Sequence, residues 1–132
     1  MTLKTFEQKV VLPVLPKEVY DAILSSKQHS AFTGSKANIQ AKIGGAFSIF
    51  DGGLKGITLD LVPDKKIVQA WKCEMKEWPK DYFSTVVFSF VKQGKQTLLT
   101  FTHYGIPASC FSSIKKGWTT YYWDPLTVFF KK

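Results

Sequence analysis

The sequence predicts an α+β fold: a curved antiparallel sheet of about seven strands around one long C-terminal helix, with two short helices after strand 1. Three observations carry this. Between residues 39 and 104 apolar side chains recur at every second position, broken by turn residues about every ten residues, the pattern of a meandering sheet. After residue 109 the apolar period changes to three and four, the spacing of a helix with one buried face. Nowhere does strand alternate with helix and strand, so the sheet is antiparallel.

Residues 3–12 are rich in β-favouring side chains and stop at Pro13, which reads as the first strand. Pro16 opens a helix over 16–25, with Val19, Tyr20, Ile23 and Leu24 at helical spacing and Glu18 near the positive end of its dipole. A second short helix is expected over 26–32, ending near Gly34. Strands are then predicted over 39–43, 46–50, 54–62, 67–73, 82–91 and 97–104, punctuated by Gly44-Gly45, Asp51-Gly52-Gly53, Pro63-Asp64-Lys65, Trp78-Pro79 and Gln93-Gly94-Lys95.

Alternation assigns the faces. Ile57, Leu59 and Leu61 are expected inward against Thr58 and Asp60; Val86, Phe88 and Phe90 inward; and Leu99, Phe101 and His103 inward in the last strand. The final helix is predicted from about 109 to 130, where Ile114, Trp118, Tyr121, Tyr122, Leu126 and Phe129 share a face. Pro125 lies inside it, lacks an N–H and clashes with the preceding turn, so a kink or break is expected just before it.

At 132 residues, 45% of them hydrophobic, the chain fits one folded domain over 1–132 rather than a disordered segment. The net charge of +8 comes from lysine alone, because the sequence contains no arginine. Its lysines pair at 65–66, 115–116 and 131–132 without a longer run, and the planar fork that reads guanine is missing, which argues against nucleic acid as a partner. No stretch is long and apolar enough for a membrane span, and the N-terminal MTLKTFEQKV lacks the apolar core of a signal peptide. A cytoplasmic protein with reduced thiols is expected.

Motifs that carry chemistry are sparse. Cys73 and Cys110 have no metal-ligand spacing, His29 and His103 lie far apart, and nucleophile-elbow, phosphate-loop and dinucleotide glycine patterns are absent. Neither a metal nor a cofactor is expected. A Cys110–His103 pair lacks any third group to orient the base, so the sequence is read as that of a non-enzyme. An inward histidine at a strand end usually satisfies a neighbouring polar group, which is the alternative to a ligand role for His103. The 15% aromatic content supplies large inward rings that serve equally to line a cavity or to fill a core.

The segments Gly44–Gly52 (GGAFSIFDG), Leu61-Val62-Pro63, Ile67–Lys72 (IVQAWK), Trp78-Pro79, Tyr82–Val86 (YFSTV), Gly105-Ile106-Pro107 and Gly117–Tyr122 (GWTTYY) occur in this order over nearly the whole chain. Together they resemble the family related to the C-terminal domain of the activator of the ninety-kilodalton heat-shock chaperone ATPase, in the START-like, birch-pollen-allergen-like (SRPBCC) superfamily. The resemblance implies a helix-grip fold, cavities that in the wider superfamily hold hydrophobic molecules, and for the family itself a co-chaperone role. It transfers no catalytic residues. In the eukaryotic activators a separate N-terminal domain, which these residues do not include, contributes much of the chaperone binding. Two departures are a long 73–77 connection and Asp124-Pro125 within the final helix.

Two functions follow as expectations. In the first, a hydrophobic small molecule sits between sheet and helix, lined by Phe47, Ile49, Leu59, Trp71, Phe88, Phe101, Trp118 and Tyr122, with His103 as polar anchor. In the second, Lys65, Lys66, Lys115 and Lys116 steer docking on an acidic partner, the chaperone.

Overall fold

The computed structural model describes residues 2–131, so Lys132 of the last lysine pair lies outside the described residues. Strands β1 (Leu3–Leu12), β2 (Asn38–Ile39), β3 (Ala46–Ile49), β4 (Leu54–Val62), β5 (Lys66–Cys73), β6 (Ser84–Gln93) and β7 (Gln96–Pro107) form one sheet in the order β1-β7-β6-β5-β4-β3-β2, with every pair antiparallel. Six consecutive strands thus run as a meander, and β1 returns to pair with β7.

Helices α1 (Pro16–Leu24) and α2 (Ser26–Thr33) join β1 to β2. Leu15 donates its N–H to the Glu18 carboxylate at 3.2 Å, closing the start of α1. Ser25 accepts the Gln28 N–H at 3.1 Å to begin α2, and Gly34, at φ 73°, ends it in the left-handed conformation that glycine adopts without penalty.

The C-terminal helix is built in three pieces, because the chain resolves its internal proline in a specific way. α3 (Phe111–Trp118) follows a single 3-10 turn, Thr119–Trp123 winds as π-helix, and α4 covers Asp124–Phe130. The Asp124 N–H reaches back to the Thr119 carbonyl, five residues away. The break expected before Pro125 therefore takes the form of a widened turn, with Pro125 immediately after it in the first turn of α4. The same turn buries two successive rings, Tyr122 and Trp123.

The inner face of the sheet and these helices enclose one core, with Leu12, Ile67, Val86, Leu99, Phe101, Ile106 and Leu126 at 0% exposure. The inward sets predicted for β6 and β7 are found there. β4 is the exception. Gly56 and Thr58 face inward and Ile57 and Leu59 are 42% and 49% exposed, whereas Leu61, opposite the buried Ile67, packs on the core as expected. Two things invert the strand before Leu61. Inward position 56 must be glycine, since a Cβ there would collide with the Ala70 carbonyl and the Phe47 ring. A register shift between Thr58 and Asp60 then makes Leu59 the extra residue of a bulge. Leu59 is accordingly not a pocket residue. The strand predicted over 39–43 shrinks to Asn38–Ile39, and Tyr82 and Phe83 belong to the connection before β6.

Candidate functional site

The centre of the sheet–helix interface is filled by rings. Trp118 stands 4.3 Å from Phe101 between centroids and stacks on Trp123 at 5.5 Å, and Phe88 lies 5.1 Å from Phe101. The space left beside Phe47, Ile49, Trp71, Phe88, Trp118 and Tyr122 is about 10 Å³, enough for no more than about one water molecule. Phe47, Ile49, Phe88 and Phe101 are therefore core residues.

His103 is locked into that core. The Trp118 indole N–H donates to His103 Nδ1 at 3.1 Å. An indole only donates, so Nδ1 is the unprotonated nitrogen, and Nε2–H donates to Ser84 Oγ at 2.8 Å. The Ser84 hydroxyl in turn donates to the Trp71 carbonyl at 3.0 Å. The chain runs from α3 through β7 and β6 to β5, with every hydrogen used once. Both ring nitrogens being engaged, His103 is a tie between helix and sheet rather than a polar anchor for a ligand, and it cannot serve Cys110 as a base. Burial pushes it down to about 3, so it stays neutral. His29, on α2, is held down to about 4 by burial and meets the Tyr122 hydroxyl at 2.9 Å, while burial pushes that phenol upward.

An open cavity of about 370 Å³ lies at the rim, between α3 and the π segment on one side and the β3–β4 turn and the end of β5 on the other. Trp71, Trp118 and Tyr122 back it, so these three predicted residues do line a cavity, displaced from the expected centre. Ile114, Gly117 and Tyr121 wall it from the helix; Phe50, Leu54, Cys73 and Met75 wall it from the sheet. Its surface is almost wholly apolar. Phe50 adopts φ 52°, uncommon for a bulky side chain, at the turn that forms the cavity's edge. The buried Trp71 N–H, at the back of the cavity, has no acceptor among the described residues. Burial raises the Cys73 thiol to about 11, with smaller contributions from Cys110 and Glu74, which makes it a poor nucleophile at neutral pH.

Reading the sequence missed Phe50, Leu54, Cys73 and Met75, which sit in or beside turns where no periodicity marks a face. Tyr121, expected in the core, is 64% exposed at the cavity rim. The four lysines are not one patch. Lys65 and Lys66 lie at the β4–β5 hairpin, whereas Lys115 and Lys116 are on α3, which packs on the sheet's inner side. No three His, Cys, Asp or Glu side chains group as metal ligands among the described residues, and none of the described helices is long and apolar enough to cross a membrane.

A curled antiparallel sheet closed on a long C-terminal helix, with an apolar cavity at their junction, defines a helix-grip domain. The profile of the family described as "Activator of Hsp90 ATPase homolog 1-like protein" matches residues 13–131, and the chain belongs to that family. It is 35% identical over 109 residues to the human "Activator of 90 kDa heat shock protein ATPase homolog 1", covering 83% of this chain and 32% of the relative. It is 32% identical over 118 residues to the corresponding Dictyostelium discoideum activator, covering 89% of this chain and 30% of the relative. The chain thus spans about a third of the length of these curated relatives. The crystal structure of an HSP90 activator from Plasmodium falciparum superposes with a TM-score of 0.87 at 28% identity, covering 94% of both chains. A Mesorhizobium loti protein at 19% identity and TM-score 0.83 shares the fold. The human, Dictyostelium and Plasmodium relatives are named as activators.

Proposed function

We propose that this chain is a non-enzymatic binding domain that docks on the ninety-kilodalton heat-shock chaperone and modulates its ATP hydrolysis. The observation that carries this reading is the end-to-end likeness to the Plasmodium activator, which covers 94% of each chain. The saturated hydrogen bonds of His103 and the raised Cys73 thiol agree with it, since neither group is free to act as base or nucleophile. The excess of lysine favours an acidic partner and an association that weakens with salt. The test is the steady-state ATPase of the purified chaperone titrated with this protein at low ionic strength. A saturable change in rate is expected; no binding and no change in rate would refute the reading.

The apolar cavity favours a second reading, in which it takes a small hydrophobic molecule. A volume of about 370 Å³ lies within the range of ligand sites. Native mass spectrometry of the protein from its own cells should then show a small apolar adduct lost on denaturation. Bare protein, together with a thermal midpoint that no apolar compound shifts, would exclude this reading.

A further inference from the structure

The outer face of the sheet carries two rows of side chains that neither the core nor the cavity uses. Asn38, Ser48, Lys55 and Lys72 lie directly opposite one another on β2, β3, β4 and β5, and the row ends at Phe83, whose ring centroid is 5.5 Å from Lys72 Nζ. Beside it runs an apolar row, Ala46, Ile57 and Ala70, in the same register. All of these residues except Ala70 line a groove of about 350 Å³ against the short edge strand β2.

This arrangement carries a cost that packing does not explain. Lys55 and Lys72 are cross-strand partners, and like charges directly opposite destabilise a sheet. Glu74 stands 4.0 Å from Lys55, with both side chains about half exposed, a pair of small worth. Lys72 has no carboxylate within ion-pair distance among the described residues. Ile57 and Phe83, each 42% exposed, leave apolar surface beside these cations. Two facing cations next to an apolar strip complement a segment whose carboxylates alternate with apolar side chains. Asn38 and Gln40 also line the groove beside the edge strand β2, and their polar side chains suit a polypeptide laid along it.

We infer that this outer-face groove is where the chaperone docks, through an acidic segment that sets carboxylates on Lys55 and Lys72 and an apolar side chain against Ile57 and Phe83. The inference rests on the chaperone reading above, and moves the contact away from Lys65, Lys66, Lys115 and Lys116.

The experiment is calorimetric titration of the purified chaperone with wild type, Lys72→Glu, Lys55→Glu/Lys72→Glu, Lys55→Gln/Lys72→Gln, and the controls Lys65→Glu/Lys66→Glu and Lys115→Glu/Lys116→Glu, at two salt concentrations. The groove variants should weaken binding at least tenfold and flatten its salt dependence, and the two control pairs should stay within about threefold of wild type. The thermal midpoint of Lys72→Glu should hold or rise, because an opposite-charge pair replaces a like-charge one. If reversal disturbs folding, the Lys→Gln pair gives the same reading without repulsion. Wild-type affinity in both groove pairs, with loss in either control pair, overturns the groove and leaves the chaperone reading intact. A wild type that does not bind the chaperone, whether or not it adheres to phosphatidylserine vesicles, overturns both.

Discussion

The indole of Trp118 donates to His103 Nδ1 across 3.1 Å, joining the C-terminal helix to strand β7 inside a fully buried aromatic cluster. That contact sets the imidazole's tautomer, and through it the direction of the two hydrogen bonds that follow to Ser84 and Trp71. Trp118→Phe should therefore cost more than lost ring volume, because Nδ1 would be left buried without a donor. A loss of about 2–4 kcal/mol is expected by urea unfolding. The double variant Trp118→Phe/His103→Leu should be less destabilised than the sum of its singles, by about 1 kcal/mol or more. Strict additivity would mean that the bond contributes nothing to stability.

The two buried histidines predict a stability that declines toward acid. An unfolded chain protonates imidazoles below about 6.5, whereas burial holds His29 and His103 neutral down to about 4 and about 3. Between those limits the unfolded state binds more protons, so stability falls as pH falls. The contribution is complete above about 6.5 and is lost on the descent through the folded values. Each histidine fully charged in the unfolded chain removes about 1.4 kcal/mol per pH unit. Urea unfolding at several values between about pH 7.5 and 5, above the carboxylate range, should show the decline, and His29→Gln should remove about half of it. A flat profile would contradict the burial of the two rings.

Gly117 lies in α3 at the cavity wall, and a Cβ there would meet only Tyr121 Cδ2, at 3.9 Å. Gly117→Ala should stabilise the protein by about 0.5–1 kcal/mol through helix propensity alone. Gly117→Leu projects a side chain into the cavity and should abolish any thermal shift produced by apolar compounds, while chaperone binding through the outer face persists. Loss of both together would place the partner on the cavity side.

Gly56 is the converse case. Any Cβ there meets the Ala70 backbone and the Phe47 ring, so Gly56→Ala should destabilise by about 1–3 kcal/mol through overpacking at the β3–β4–β5 junction. A thermal midpoint equal to wild type would show that the junction is looser than the register of Phe47 against Gly56 implies.

Much of this architecture was legible before any coordinates. Composition and Pro13 located β1, while strong periodicity located β6 and β7 and placed Phe88, Phe101 and His103 inward, because alternation over many residues leaves one face that can be buried. The helix start at Pro16 followed from proline and dipole chemistry acting within one turn. Pro125 announced a break, since a missing N–H is a local property, while the folded chain shows that the break is a widened turn in which Tyr122 and Trp123 are buried.

What alternation cannot supply is the sign of a face once a bulge changes its phase. In β4 the sequence places Ile57, Leu59 and Leu61 at one parity, yet the close approach of Ala70 and Phe47 to Gly56 turns Ile57 outward, and the bulge at Leu59 returns Leu61 to the core side. The cavity is likewise a product of packing: rings separated by tens of residues fill the centre, and a turn, a helix and a connection leave space at the rim. Fold class, element order and family are thus written in local patterns of the chain. The orientation of β4, the sealing of His103 and the facing lysines of the outer groove arise between segments remote in sequence, where only the tertiary structure brings the interacting groups together.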